Sequence, residues 1–208
     1  MRHILITLAL LFGVASTVMT VAATHLRNTA HTAKPAVKLA GTVVWPAGTR
    51  PAPGFALRDQ NGQIISRTSL RGRVWAITFI DSKCTASCPI VARELALAQR
   101  TLGRTNPLEV IAVSTLPQYD TPTHVRAFAH KLGLTGNWHW LLGTHAQLAP
   151  VWQAYGIWVR TGITHDIAVY IVDTHGDVRI ADAMPIRPGQ VASSVRALER
   201  TAIAVPAR

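Results

Sequence analysis

Val74-Trp75-Ala76-Ile77-Thr78-Phe79-Ile80 runs on into Asp81-Ser82-Lys83-Cys84-Thr85-Ala86-Ser87-Cys88-Pro89. An unbroken apolar stretch thus leads directly to two cysteines four residues apart. Such a stretch suits a strand covered on both faces. Pro89 fits the first turn of a helix reaching to about Leu102, where its missing N–H leaves nothing unsatisfied. A spacing of four is one helical turn and sets both sulfurs on the same side. A helix start also lowers a thiol pKa, favouring the thiolate that ligates metals and attacks disulfides. The pair can therefore hold a soft metal ion, cycle between dithiol and disulfide, or do both. Cys84 and Cys88 are the only cysteines of the chain. A purely structural bridge is the plainer alternative, but a loop this short constrains the unfolded chain little.

Working outward, Phe55 to Ile65 reads as a hairpin turning at Asn61-Gly62. Beyond the helix that follows the cysteines, Leu108 to Ser114 is a strand. Thr121 to Leu132 is a helix with Asp120 as N-cap and Pro122 in its first turn. Trp138 to Leu142 is a third strand, and His145 to Tyr155 a short helix. Ile167 to Asp173 and Val178 to Ile180 flank a turn at His175-Gly176, and Pro188 to about Ile203 is the last helix. Strands alternating with helices imply an α/β layer architecture. The first βαβ unit predicts parallel pairing, and the terminal hairpin adds an antiparallel pair to the same sheet. A central strand feeding a Cys pair at the next helix is a thioredoxin-like arrangement, with a mixed central sheet flanked by helices. Trp75, Trp138, Trp140, Trp152 and Trp158 read as core or core-edge residues.

The chain has 208 residues, and residues 4–23 carry no charge behind Arg2. Twenty such residues are long for a cleaved signal and sufficient for a membrane anchor, although Val21-Ala22-Ala23 would permit cleavage. Either reading puts the rest of the chain outside the cytoplasm: anchored to the cytoplasmic membrane and facing the periplasm, or secreted there if the signal is removed. Residues 24–54, with Pro35, Pro46, Pro51 and Pro53, read as a flexible tether. One domain is then expected over residues 55–208. The net charge of +11 comes mostly from scattered arginines. With no dense basic run and no aromatic interleaving, nucleic acid is a poor partner. Anionic membrane or an acidic protein is the better match.

Several short pieces together resemble the Sco/SenC family of copper-handling, thioredoxin-fold assembly factors of cytochrome c oxidase. They run in order from Phe55-x-Leu57-x-Asp59-x-x-Gly62 and Leu70-x-Gly72-x-Val74 to Phe79-Ile80 ahead of Cys84-x-x-x-Cys88-Pro89. Val113-Ser114, Asp120-Thr121-Pro122, Leu141-Leu142-Gly143, Tyr155-Gly156, His165 and Tyr170-Ile171-Val172-Asp173-x-x-Gly176 complete the set. The resemblance covers about residues 55 to 202. It implies that copper is bound by Cys84, Cys88 and His165, as Cu(I) and also as Cu(II). Two thiolates and an imidazole form a soft, low-coordinate site that suits Cu(I). It also implies that the strand after His165 lies beside the strand before the cysteines. Two positions depart from the family pattern. Leu116 stands where an aspartate is usual, and Lys83 precedes Cys84, where a cation would lower the thiol pKa further.

The function so implied is a copper metallochaperone that delivers copper to a membrane respiratory enzyme, at the copper site of a cytochrome c oxidase subunit. The alternative is an extracytoplasmic thiol-disulfide oxidoreductase in which Cys84 and Cys88 form a redox pair and reduce cysteines of a partner protein. Against the alternative, His165 stands where reductases of this fold carry a proline. Peroxide reduction is a weaker third reading. His124, His130, His139 and His145 read as ordinary surface or packing residues. Asp81 is either a tuning group for the cysteines or a solvent-facing loop residue.

Overall fold

The computed structural model describes residues 38–103, 108–134, 137–160 and 167–203. The chain divides into two units, Met1–Ala36 and Val37–Arg208. The first, with the expected anchor or signal, lies outside the described residues. So do residues 161–166, which include His165. Among the described residues no helix is long and apolar enough to cross a membrane.

The second unit is built on strand β4, Trp75–Ile80, every residue of which is buried. Successive side chains of a strand point to opposite faces, and here both faces find a core. Ala76 and Ile80 join one hydrophobic cluster, whereas Trp75, Ile77 and Phe79 join the other. Strand β5, Glu109–Ser114, pairs parallel with β4 in the register Ile80↔Ser114, and β6, Trp138–Leu141, pairs parallel with β5. Strand β7, Ala168–Val172, pairs antiparallel with β4, and β8, Val178–Ala183, antiparallel with β7. With the short β1, Val43–Val44, the sheet order is β1-β8-β7-β4-β5-β6. Strands β2, Ala56–Arg58, and β3, Ile64–Ser66, form a separate antiparallel hairpin. The mixed sheet and the adjacency of β4 and β7 match the expectation from sequence.

Helices cover both faces. Helix α1, Ser87–Leu102, buries Cys88, Val91, Ala92, Leu95, Ala96, Ala98 and Leu102, a stripe at helical spacing. It shares one cluster with Val125 and Phe128 of α2, Pro122–Leu132, and with Val191, Val195 and Leu198 of α4, Pro188–Ile203. Helix α3, His145–Ala154, and the β2–β3 hairpin cover the opposite face.

Three local expectations are corrected. The tether does not extend to residue 54: Val43 and Val44 pair with Ala181 and Ile180, and Ala52 is buried. A two-residue edge strand between prolines leaves no periodicity to read. The cap of α2 is Thr121, whose hydroxyl accepts from His124 N, rather than Asp120. Of the tryptophans assigned to the core, Trp75, Trp138, Trp140 and Trp152 are buried, but Trp158 is 76% exposed.

Candidate metal centre

The C-terminal end of β4 releases the chain into a tight turn that positions the first cysteine. Asp81 Oδ1 accepts hydrogen bonds from Lys83 N at 3.0 Å and Cys84 N at 2.7 Å. This is the side-chain turn that aspartate favours at loop starts. Helix α1 then begins at Ser87 rather than at Pro89, with Ala86 as an N-cap whose methyl side chain makes no capping hydrogen bond. Sulfur supplies the missing acceptor, since Cys84 Sγ accepts from Cys88 N at 3.4 Å. The two cysteines are therefore not equivalent members of one helical turn. Cys84 lies ahead of the helix and is partly exposed, whereas Cys88 is its second residue and is fully buried.

The electrostatics follow from this placement. Burial pushes the Cys84 thiol up. Hydrogen bonds from the Cys88 side chain and from the Cys88 and Ala86 N–H groups outweigh it, and the pKa ends below the usual thiol value. For Cys88 burial dominates and pushes the thiol well above its ordinary range. No disulfide bond joins the two cysteines. The ligand atoms of Asp81, Cys84 and Cys88 all lie within 4.8 Å of one another.

A second carboxylate holds the same turn from behind. Asp120 is 6% exposed. Its Oδ1 accepts from Ser82 N at 2.9 Å and Ser82 Oγ at 2.5 Å, and its Oδ2 from Ser114 Oγ at 2.6 Å. The side chain read as a helix cap instead ties the turn before Cys84 to the end of β5. Burial raises its pKa against those hydrogen bonds. Leu116, at the position of the missing aspartate, contributes only backbone: its carbonyl accepts from Tyr119 N and Asp120 N.

Beside Cys84 a groove of about 380 Å³ opens between α1 and α2. Pro89 and Arg93 of α1 line one wall, and His124, Phe128 and Lys131 of α2 the other. His124 Nδ1 lies 2.7 Å from Tyr119 O, and the two rings stack at 4.4 Å. Lys83 Nζ sits 5.5 Å from the centre of the Tyr119 ring. Arg93, Lys131 and Lys83 give this rim a positive character.

Of the three expected ligands, the structure brings Cys84 and Cys88 together, and His165 lies outside the described residues. Strand β7 begins beside β4, where Thr78 Oγ donates to Ala168 O at 3.1 Å. His139 lies away from the cysteines, on β6. Its Nδ1 is 3.0 Å from Asp59 Oδ2, and its Nε2 3.3 Å from Glu109 Oε2. Sequence reading left Asp81 open and missed the role of Asp120. The signal for Asp120 was the pair Ser82 and Ser114, which has meaning only once Ile80 is set beside Ser114.

A mixed sheet flanked by helices, with a thiol pair where the central strand meets the next helix, defines a thioredoxin-like protein. A family model described as SCO1/SenC matches residues 47–199, and the chain belongs to that family. A curated relative, the SCO1 protein homolog of Bacillus subtilis (strain 168), is 32% identical over 91 residues, which is 43% of this chain. That match spans 47% of the relative, so the chain aligns with about half of its length. Among solved structures, Bradyrhizobium japonicum ScoI with copper bound has a TM-score of 0.62 at 23% identity. The match covers 71% of this chain and 99% of that one. BsSco, described by its disulfide switch and as one of the Sco family of cytochrome c oxidase assembly proteins, has a TM-score of 0.65 at 22% identity. It covers 75% of this chain and 97% of that one.

Proposed function

We propose that this protein carries copper outside the cytoplasm and hands it to a copper-accepting subunit of a respiratory oxidase. The observation that carries this reading is the adjacent, unequally buried pair Cys84 and Cys88 in a family with copper-bound relatives. In this reading Cys84, Cys88 and His165 hold the cargo. Thiolates suit Cu(I), and imidazole adds a ligand common to both oxidation states. The partly exposed Cys84 is the sulfur an acceptor thiolate can approach, while buried Cys88 stays with the protein. Transfer is then ligand exchange, with copper held by at least one sulfur throughout. The basic groove beside Cys84 suits an acidic surface on the acceptor. A segment at residues 4–23 that anchors the chain would raise the effective concentration beside a membrane acceptor.

The test is a Cu(I) titration of the reduced full-length protein against a competing chelator, with Cys84→Ala, Cys88→Ala and His165→Ala alongside. One tight equivalent, weakened in each variant, is expected. Unchanged affinity in all three would overturn the reading.

One observation favours a second role for the same pair. A thiol of lowered pKa next to a buried thiol is the layout of an attacking and a resolving cysteine. As a reductase, Cys84 would attack a partner disulfide and Cys88 would displace the reduced partner, leaving a Cys84–Cys88 bridge. Cys88→Ser should then trap a mixed disulfide through Cys84. Failure to trap one, with copper transfer intact, would remove this role.

A further inference from the structure

We propose that Asp81 is an anionic oxygen donor to the ion held by Cys84 and Cys88, and that it biases the site toward the divalent state. The inference rests on the copper reading of this site and adds a ligand that the resemblance does not supply.

Three observations carry it. First, a carboxylate oxygen of Asp81 lies within 4.8 Å of both sulfurs, a spacing at which one ion between them reaches all three donors after small side-chain adjustments. Second, the carboxylate is held in place. Its turn hydrogen bonds to Lys83 N and Cys84 N fix it relative to the Cys84 backbone, and Asp120 fixes the intervening Ser82. Third, the turn alone does not require a charge, because asparagine makes the same side-chain turn. An aspartate here sets a negative group beside two sulfurs that must ionise to bind a metal. Like charges so close repel, and a cation among them converts the repulsion to attraction.

The chemistry then gives a direction. Thiolates are soft and suit Cu(I), whereas carboxylate oxygen is hard and suits more highly charged ions. With two thiolates, Cu(I) already carries net charge −1, and a carboxylate takes it to −2. Cu(II) with the same three donors stands at −1. Asp81 therefore stabilises Cu(II) more than Cu(I) and lowers the potential of the bound couple.

The experiment compares full-length wild type with Asp81→Asn, which keeps the turn acceptor and loses the charge. Each is titrated anaerobically with Cu(I) and with Cu(II) against competing chelators, and the Cu(II) forms are examined by electron paramagnetic resonance. The expected result is Cu(II) affinity at least about tenfold weaker in D81N, Cu(I) affinity within about threefold, and an altered Cu(II) spectrum. A tenfold differential corresponds to about 59 mV on a one-electron couple. Asp81→Glu should restore part of the Cu(II) affinity. Should D81N fail to fold, Asp81→Ser, whose hydroxyl also accepts turn hydrogen bonds, carries the same comparison. Identical affinities for both ions in wild type and variant would reduce Asp81 to a turn acceptor. Equal weakening for both ions would mean that it acts by positioning Cys84, and the proposal would fall. If wild type binds neither ion, the copper reading itself fails and takes this inference with it.

Discussion

Replacing Asp120 probes how the turn before Cys84 is held. Alanine removes the acceptor of three hydrogen bonds: two from Ser82 and one from Ser114 Oγ, whose residue is fully buried. Hydrogen bonds to a charged group contribute about 1.5–3 kcal/mol each. Burial offsets part of that sum, because it pushes the Asp120 pKa up and so disfavours the charged form in the fold. Ser114 Oγ keeps its contact with Leu116 N at 3.3 Å, and Ser82 can turn to water. The net loss for D120A is then about 3 kcal/mol, at the lower edge of what breaking a buried polar network costs. For a domain of this size that is a fall in Tm of about 6–12 °C. D120N retains an acceptor for Ser82 and gains a donor for Ser114, so it should lose about 1 kcal/mol or less.

The pH dependence separates charge from shape. The folded pKa of Asp120 is raised above its unfolded value. The stability it contributes is therefore fully present below the unfolded pKa and is lost as pH rises through the folded one. D120N has no such titration, so its deficit relative to wild type should shrink as pH climbs through the carboxylate range. Urea denaturation at several pH values measures both effects. D120A within about 0.5 kcal/mol of wild type, or D120N as unstable as D120A, would refute the reasoning.

Two further substitutions test other parts of the fold. His139 is held between Asp59 and Glu109, and its hydrogen bond with Glu109, opposed by burial, raises its pKa. Its contribution is present below the unfolded value and lost as pH rises through the folded one. His139→Gln should therefore trail wild type at about pH 6 and approach it by about pH 9 in chemical denaturation. A constant gap would count against the charged bridge. At Gly41 a Cβ would overlap Ile180 Cγ2, and Ile180 is 1% exposed. Gly41→Ala should cost about 1–3 kcal/mol by thermal melt, and a neutral result would detach residues 38–44 from the folded unit.

The sequence displays β4 plainly because burial on both faces leaves seven consecutive residues with no charge to interrupt them. The hairpin is equally plain, since Asn61-Gly62 supplies the positive φ of 80° that Gly62 adopts. Asp120 and Asp81 were obscure for a different reason. A carboxylate before a proline-led helix looks like a cap, and one after a strand looks like a loop residue. Only the parallel register of β4 and β5 sets Ser82 and Ser114 around a single acid.

The deepest difference concerns the cysteines themselves. Spacing alone treats Cys84 and Cys88 as a matched pair one turn apart, and by spacing either could be the exposed sulfur. The fold breaks that symmetry through the apolar stripe of α1. Cys88 stands three before Val91, four before Ala92 and seven before Leu95, all of them buried, so the helix cannot dock without taking Cys88 into the core. Cys84, ahead of the helix, is left to cap its free N–H groups. Packing thus puts one sulfur in the core, and hydrogen bonding leaves the other partly exposed with a lowered pKa. Moving the helix start by one residue would rotate Cys88 by about 100° and remove the distinction. On either proposed role, copper transfer or thiol exchange, the order in which the sulfurs act would follow from which residues of α1 face the sheet.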